Sequence, residues 1–206
     1  YMVDLSNPVQ PTVTYFPGVG ANLGYNSIDF KGDTLYIFYA ASEPACFRSY
    51  DNSDPYNPVL LSSAHVPNGE SIFVTGNQLH MIAYWPTRYL LFDITEPNSP
   101  IQLASILGDT WWGISDADGG HVGLANGWFL PLTIYHYSPT PPYLTAPLKT
   151  TVYSDPAQCT SNGMVYACGN GGISRLRGNT WTNLTTNVPT DFHVADNNIF
   201  ITNYSG

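Results

Sequence analysis

Charge is scarce in this chain, and its scarcity excludes more than any residue that is present. Only 6 of the 206 residues are Lys or Arg and 15 are Asp or Glu, so charged residues make up 10% of the sequence and the net charge is −9. Phosphate backbones are bound by clustered Lys and Arg, so nucleic acid is excluded as a partner. So few charges also exclude a coiled coil and a long solvent-exposed helix. With 43% hydrophobic residues, they exclude a disordered chain as well. Long apolar runs are missing too. The stretch WFLPLTIY, broken by Pro131, falls short of the 18 or more residues of a membrane span, so no direct span is expected. The chain opens on Tyr1, Met2 and Val3 with no basic n-region or apolar h-region, and it reads as a mature chain or a segment of something longer.

Cysteine is nearly absent. Cys46, Cys159 and Cys168 cannot all pair within one chain, and they show no CxxC spacing for zinc or redox chemistry. If Asn162 and Gly163 form a two-residue turn, Cys159 and Cys168 fall diagonally across one hairpin on one face, where a bridge and free thiols both remain open. The five histidines, His65, His80, His121, His136 and His193, form no HxH or HExxH pattern, so no metal site is expected. His80 and His121 sit at related places and could face each other only if their strands were brought together. A phosphate-binding loop, a dinucleotide fingerprint and a G-x-S-x-G elbow are all missing, and no cofactor is expected.

What stands in place of charge is Tyr, Thr, Asn and Ser, which keep a surface wet without ions and suit a protein working outside the cell. The sequons Asn183-Leu-Thr and Asn203-Tyr-Ser permit glycosylation there. The expected location is extracellular, on a cell or virion surface.

Self-similarity organises the rest. A β-type run, a Gly/Asp/Asn turn and a second β-type run recur five times, in NSIDFKGDTLYIFYA, ESIFVTGNQLHMIAYW, WGISDADGGHVGLANG, AQCTSNGMVYACGN and TDFHVADNNIFITNY. Aligned on the first strong apolar residue after the turn, the copies give Leu35, Leu79, Val122, Val165 and Ile199, at spacings of 44, 43, 43 and 34. A period near 40 with strands and turns in every unit is the mark of propeller blades. A second phrase alternates with the first: VDLSNPVQPTV, YDNSDPYNPVL and FDITEPNSPIQL, in which Asp4, Asp51 and Asp93 are each followed by Pro at +4 and +7. Pro at the end of one strand and the start of the next suits a connection whose missing amide donors face water. The next copy is worn, reading YHYSPTPPYLT around His136, and the last is replaced by GISRLRGNTWTNLT.

Each unit therefore has inner strands A and B from the first phrase and outer strands C and D from the second. Residues 1–17 supply C and D of the last blade and residues 190–206 its A and B, so the two ends are expected to complete one sheet and close the ring. The expectation is a single all-β domain over residues 1–206, a five-bladed propeller of four-stranded antiparallel blades.

At the Asp-x-x-x-Pro-x-x-Pro phrases the chain resembles the LVIVD-repeat family, over three of the five units in the C and D strands and more loosely over the whole chain. The resemblance implies a β-propeller of secreted or cell-surface type and names no substrate.

In such a disc the D-to-A and B-to-C loops share one face. There the sequence places Tyr25, then Asn68 and Glu70, then Trp111 and Trp112, then Tyr153 and Asp155, then Asp191, with Trp85 from a B-to-C loop. Aromatics interleaved with amides and carboxylates hold sugars, the ring packing on an apolar sugar face. Tyr25, Tyr153 and Trp181 read as packing in the wedges between blades rather than as binding residues, but strand alternation cannot bury both members of the Trp111–Trp112 pair on one face. The expected function is thus a non-catalytic binding or adhesion module, the globular part of a surface appendage, contacting carbohydrate or protein through Trp111, Trp112, Trp85, Tyr25, Tyr153, Glu70 and Asp191. One alternative is a purely architectural propeller of a larger assembly. Another is a five-bladed glycoside hydrolase drawing its paired carboxylates from Glu70, Asp29, Asp116 and Asp191.

Overall fold

The computed structural model describes residues 2–4, 7, 9–14, 26–39, 46–66, 69–83, 87–108, 113–118, 120–125, 131–138, 140–144, 148–153, 158–161, 164–169, 172–177, 180–186, 191–195 and 198–202, some of them by backbone alone. Every element among these residues is a strand. A first hairpin joins β1 (Met2–Asp4) to β2 (Thr12–Thr14). The first full unit is β3 (Asn26–Lys31), β4 (Thr34–Tyr39), β5 (Cys46–Asp51) and β6 (Val59–His65). The second is β7 (Gly69–Thr75), β8 (Gln78–Ala83), β9 (Arg88–Asp93) and β10 (Ile101–Leu107). The third is β11 (Gly113–Asp118), β12 (His121–Ala125), β13 (Pro131–His136) and β14 (Leu148–Tyr153). The fourth is β15 (Gln158–Ser161), β16 (Met164–Gly169), β17 (Gly172–Arg177) and β18 (Thr180–Thr185). A last hairpin pairs β19 (Asp191–Ala195) with β20 (Asn198–Thr202). Each full unit is an antiparallel four-stranded meander in chain order, and each terminal hairpin is a two-stranded sheet.

The five turn phrases are five hairpins in one register. They close on Lys31↔Thr34, Thr75↔Gln78, Asp118↔His121, Ser161↔Met164 and Ala195↔Asn198. A two-residue loop matches the strand twist only with left-handed backbone, which glycine adopts without strain; Gly32 and Gly76 both take φ 55. One residue past each pair come Leu35, Leu79, Val122 and Val165, all buried, and Ile199, partly buried.

The Asp-Pro phrases are one structure used three times. The carbonyls of Asn7, Asp54 and Glu96 accept from the amides of Gln10, Asn57 and Ser99 at 3.1, 3.0 and 3.0 Å, each with Pro at the second turn position, where its fixed φ fits. The carboxylates ahead of the turn hold it in place. Asp51 Oδ1 accepts from Ser53 N at 2.9 Å, and Asp93 Oδ1 from Thr95 N at 2.8 Å and Thr95 Oγ1 at 2.6 Å.

Packing runs from unit to unit. The B strands β4 and β8 are buried on both faces, β8 along its whole length, whereas β20 exposes Phe200 and Ile201 and the outer β6 and β10 stay largely open. Tyr36, Phe38 and Phe47 of the first unit pack on Leu79, Met81, Leu90 and Phe92 of the second. Ile82, Tyr89 and Leu91 pack on Val122, Leu124 and Tyr135 of the third. Ile134 meets Val165, Ala167 and Leu176 of the fourth, with Trp181 against them, and Tyr166 and Ile173 meet Phe192 and Val194 of the last hairpin. Trp181 thus packs between units, the role expected of it. The inner strands consequently stand side by side in the order β3, β7, β11, β15, β19.

The expected joining of residues 1–17 to residues 190–206 goes only part of the way. Both hairpins form, β1 with β2 and β19 with β20, but no ladder joins them among the described residues.

Candidate functional site

The expected rim lies where D strands end and A strands begin. Tyr25, Asn68, Trp85, Trp111, Trp112 and Asp155 fall outside the described residues. Tyr153 ends β14 opposite Pro131, and Asp191 opens β19 opposite Thr202. Glu70 lies where the register of β7 slips between Gly69 and Ser71, a bulge of the kind that re-aims a strand end. Of the expected rim, the described backbone therefore includes only Glu70, Tyr153 and Asp191.

β3 and β7 run parallel, side by side. Ser27 Oγ accepts from Ile72 N at 2.9 Å, and Asp29 Oδ2 accepts from Val74 N at 2.6 Å, both across 45 residues. Asp29 Oδ1 accepts from its neighbour Phe30 N at 2.8 Å. This carboxylate, one of the four open to a hydrolase, is engaged as a clasp between two inner strands. Read along the chain it is a turn cap or an acid, and the clasp is not legible there because its partner lies 45 residues away.

At the opposite end, the first two units each donate into the one that follows. Lys31 Nζ donates to Ile94 O at 3.3 Å, Ser49 Oγ to Pro97 O, and Gln78 Nε2 to Ser138 O at 3.3 Å. The C-to-D phrases thus present carbonyls that the preceding unit reads. Asp93 is held below the usual carboxylate range, first by the Thr95 hydroxyl, then by the Thr95 amide, with Lys31 adding to both.

Two of the histidines meet, and no larger group forms among the described residues. His80 is fully buried, its Nδ1 2.6 Å from Tyr89 Oη and its ring edge-on to Tyr137 at 4.7 Å. Burial pulls its pKa down to about 3, so the ring is neutral, and Nε2 has no hydrogen-bond partner among the described residues. His80 faces the third unit, whereas His121 stands beside His136, their centroids 5.1 Å apart. Among the described residues no group of three or more His, Cys, Asp or Glu stands placed to hold a metal. Burial also pushes the Tyr36 hydroxyl up to about 12.

Cys159 lies opposite Tyr166 and Cys168 opposite Ile173, which gives the two cysteines the diagonal register expected of them. Asn183 is exposed on the outer strand β18, its Oδ1 accepting from Thr185 N at 3.1 Å, while Asn203 falls outside the described residues.

Comparison with known proteins finds no matching family model and no matching curated protein. The LVIVD resemblance therefore rests on the Asp-Pro phrases alone. Solved structures do match. Hsv2p of Kluyveromyces lactis is 12% identical with a TM-score of 0.54, covering 82% of this chain and 52% of its own. A chain of a nidogen/laminin complex is 10% identical with a TM-score of 0.54, covering 87% and 71%. A computationally designed protein, Ika8, is 12% identical with a TM-score of 0.54, covering 84% and 53%. This chain spans about half the length of the Hsv2 structures it matches. These likenesses and the repeated four-stranded meanders establish an all-β fold of the β-propeller type.

Proposed function

We propose that the chain is a non-catalytic extracellular binding module, a five-bladed propeller whose D-to-A rim takes a carbohydrate or protein surface as the globular part of a cell-surface or virion appendage. The carrying observation is the succession β3, β7, β11, β15, β19. Along the chain Tyr25 and Trp112 immediately precede β3 and β11, Glu70 and Asp191 lie at the starts of β7 and β19, and Trp85 falls between β8 and β9. Engagement of Asp29 with two backbone amides supports a structural use of the inner-strand acids.

Ring closure is part of this reading. On the face of the first unit turned away from the second, Leu35, Ile37, Tyr39 and Tyr50 are buried as a group of their own, while Ile28 and Phe30 are 54% and 52% exposed. On the last hairpin Phe200 is 58% exposed. Joining β20 to β1 would complete a fifth sheet able to cover this strip. The same exposed strip favours a second reading, in which the propeller packs into a larger surface assembly through it.

Interface energy concentrates in a few aromatics, so Trp111→Ala or Trp112→Ala should weaken binding on a glycan array or to a captured surface protein by roughly 2 kcal/mol or more, with an unchanged melting temperature. A double variant that binds as the parent does refutes the rim.

A further inference from the structure

We propose that Asn183 is an N-glycosylation site and that its glycan guards the outer edge of the fourth unit against strand-to-strand association. The sequon Asn183-Leu184-Thr185 lies on β18, the outermost strand of its sheet, which pairs there with β17 alone. Thr182, Asn183 and Leu184 are all exposed. A sequon counts only where its amide can be reached, and this one stands on the open margin of a sheet.

The local backbone suits the reaction too. Register slips where Ile173 pairs with Thr185 and Ser174 with Asn183, so Leu184, in the middle of the sequon, is the extra residue of a bulge. The chain bends there, and Asn183 Oδ1 accepts from Thr185 N at 3.1 Å, an Asx turn inside the sequon itself. Oδ1 is thus the end of the amide turned to the chain, and Nδ2 is the atom that reacts. The donor is an oligosaccharide carried on a polyprenyl pyrophosphate. A bond forms between Nδ2 and the anomeric carbon as the bond from that carbon to the pyrophosphate oxygen breaks. The pyrophosphate leaves with the electron pair, one amide proton passes to a base, and nothing is oxidised or reduced.

The repeat shows what a glycan does at this position. An outermost strand offers unpaired N–H and C=O groups to any other strand, and natural sheets blunt such edges with Pro or charge. Pro11, Pro58, Pro100 and Pro147 stand immediately before β2, β6, β10 and β14, and β14 also carries Lys149. Before β18 stands Asn179, and the strand reads TWTNLT, with neither Pro nor charge. A short β-prone segment of this kind on an edge is an association hazard. The fourth unit is where GISRLRGNTWTNLT replaces the Asp-Pro phrase, so the edge that lost its proline is the edge that carries a sequon.

The inference rests on the extracellular reading, because a chain meets the pyrophosphate donor along the secretory route. The test expresses the full 206-residue chain behind a signal peptide in a eukaryotic cell and maps the peptide holding residue 183 by mass spectrometry, in chain from cells and medium alike. The expected result is a glycan on Asn183, lost in Asn183→Gln and in Thr185→Ala. Asn183→Gln with an unchanged melting temperature should shift from monomer toward dimers and larger species as its concentration rises in sedimentation, and Thr185→Ala repeats the comparison with Asn183 in place. Asn183→Lys, which puts a charge on the same edge, should stay monomeric. An unmodified Asn183 overturns the site. Since the signal peptide routes the chain regardless of where it naturally works, that result leaves the extracellular reading standing. The guarding role is overturned if both folded variants without the glycan stay monomeric, or if Asn183→Lys associates as they do.

Discussion

His80 should make the stability of this protein acid-sensitive in a window that can be worked out from its surroundings. The ring is buried between the second and third units against Tyr89 and Tyr137, and desolvation holds its pKa at about 3, against 6.5 in the unfolded chain. Between those two values the unfolded state binds a proton that the folded state refuses. The contribution of His80 is therefore fully present above the unfolded value and is lost as pH falls through 6.5 toward 3. The slope is about 1.4 kcal/mol per pH unit inside the window, so roughly 2 to 3 kcal/mol should disappear between neutral pH and pH 4.5 from this residue alone. Urea unfolding at several pH values measures it, with His80→Leu as the comparison. The variant leaves the Tyr89 hydroxyl without its ring nitrogen and should be less stable at neutral pH by about 1–3 kcal/mol. Its curve should be flatter, so that the two converge in acid. Parallel curves, or an imidazole resonance of His80 that titrates near 6.5 in the folded protein, would refute the burial argument.

Two further outcomes follow from the contacts between units. Asp29→Ala should cost about 1–3 kcal/mol, because the amides of Phe30 and Val74 lose a charged acceptor, and Asp29→Asn should recover part of that; a urea midpoint shifted by less than about 0.5 kcal/mol with unchanged slope counts against the clasp. Deleting residues 1–17 should expose the edge of β20 and cause aggregation or a lower melting temperature, whereas a truncated chain that stays monomeric with unchanged melting is incompatible with the closed ring.

The parts legible in the sequence are those whose energy is local. Two residues decide a hairpin turn, so the alignment on Leu35, Leu79, Val122, Val165 and Ile199 emerges as register, and Gly32 and Gly76 take the left-handed backbone their turns require. The Asp-Pro phrases are equally local: their bonds span two or three residues. What escaped is carried by stacking one unit on the next. Asp29 finds its partner 45 residues away, and Lys31 finds Ile94 across 63. A search for HxH spacing cannot find His121 beside His136, because the pairing is made by a hairpin whose connection, residues 126–130, separates them in the chain. For the rim the residues follow from strand order along the chain, and most of them fall outside the described residues.

Repetition also supplies a way to separate structure from function when every unit folds by the same rules. A residue that recurs at one register position in several units is answering a demand that every unit makes. Asp51 and Asp93 are of this kind, each holding the backbone two residues ahead. A residue that breaks the pattern must either be tolerated or do something the other units do not. At the end of strand C the third unit has His136 instead of Asp, yet the backbone there is retained: Tyr137 N still donates to Gly120 O at 2.8 Å, as Ile94 N does to Asn77 O and Asn52 N to Asp33 O. The backbone bond thus survives in the third unit without the carboxylate. That freedom is what a repeated frame allows: one unit changes a side chain at this position while the backbone bond that sets its register stays in place.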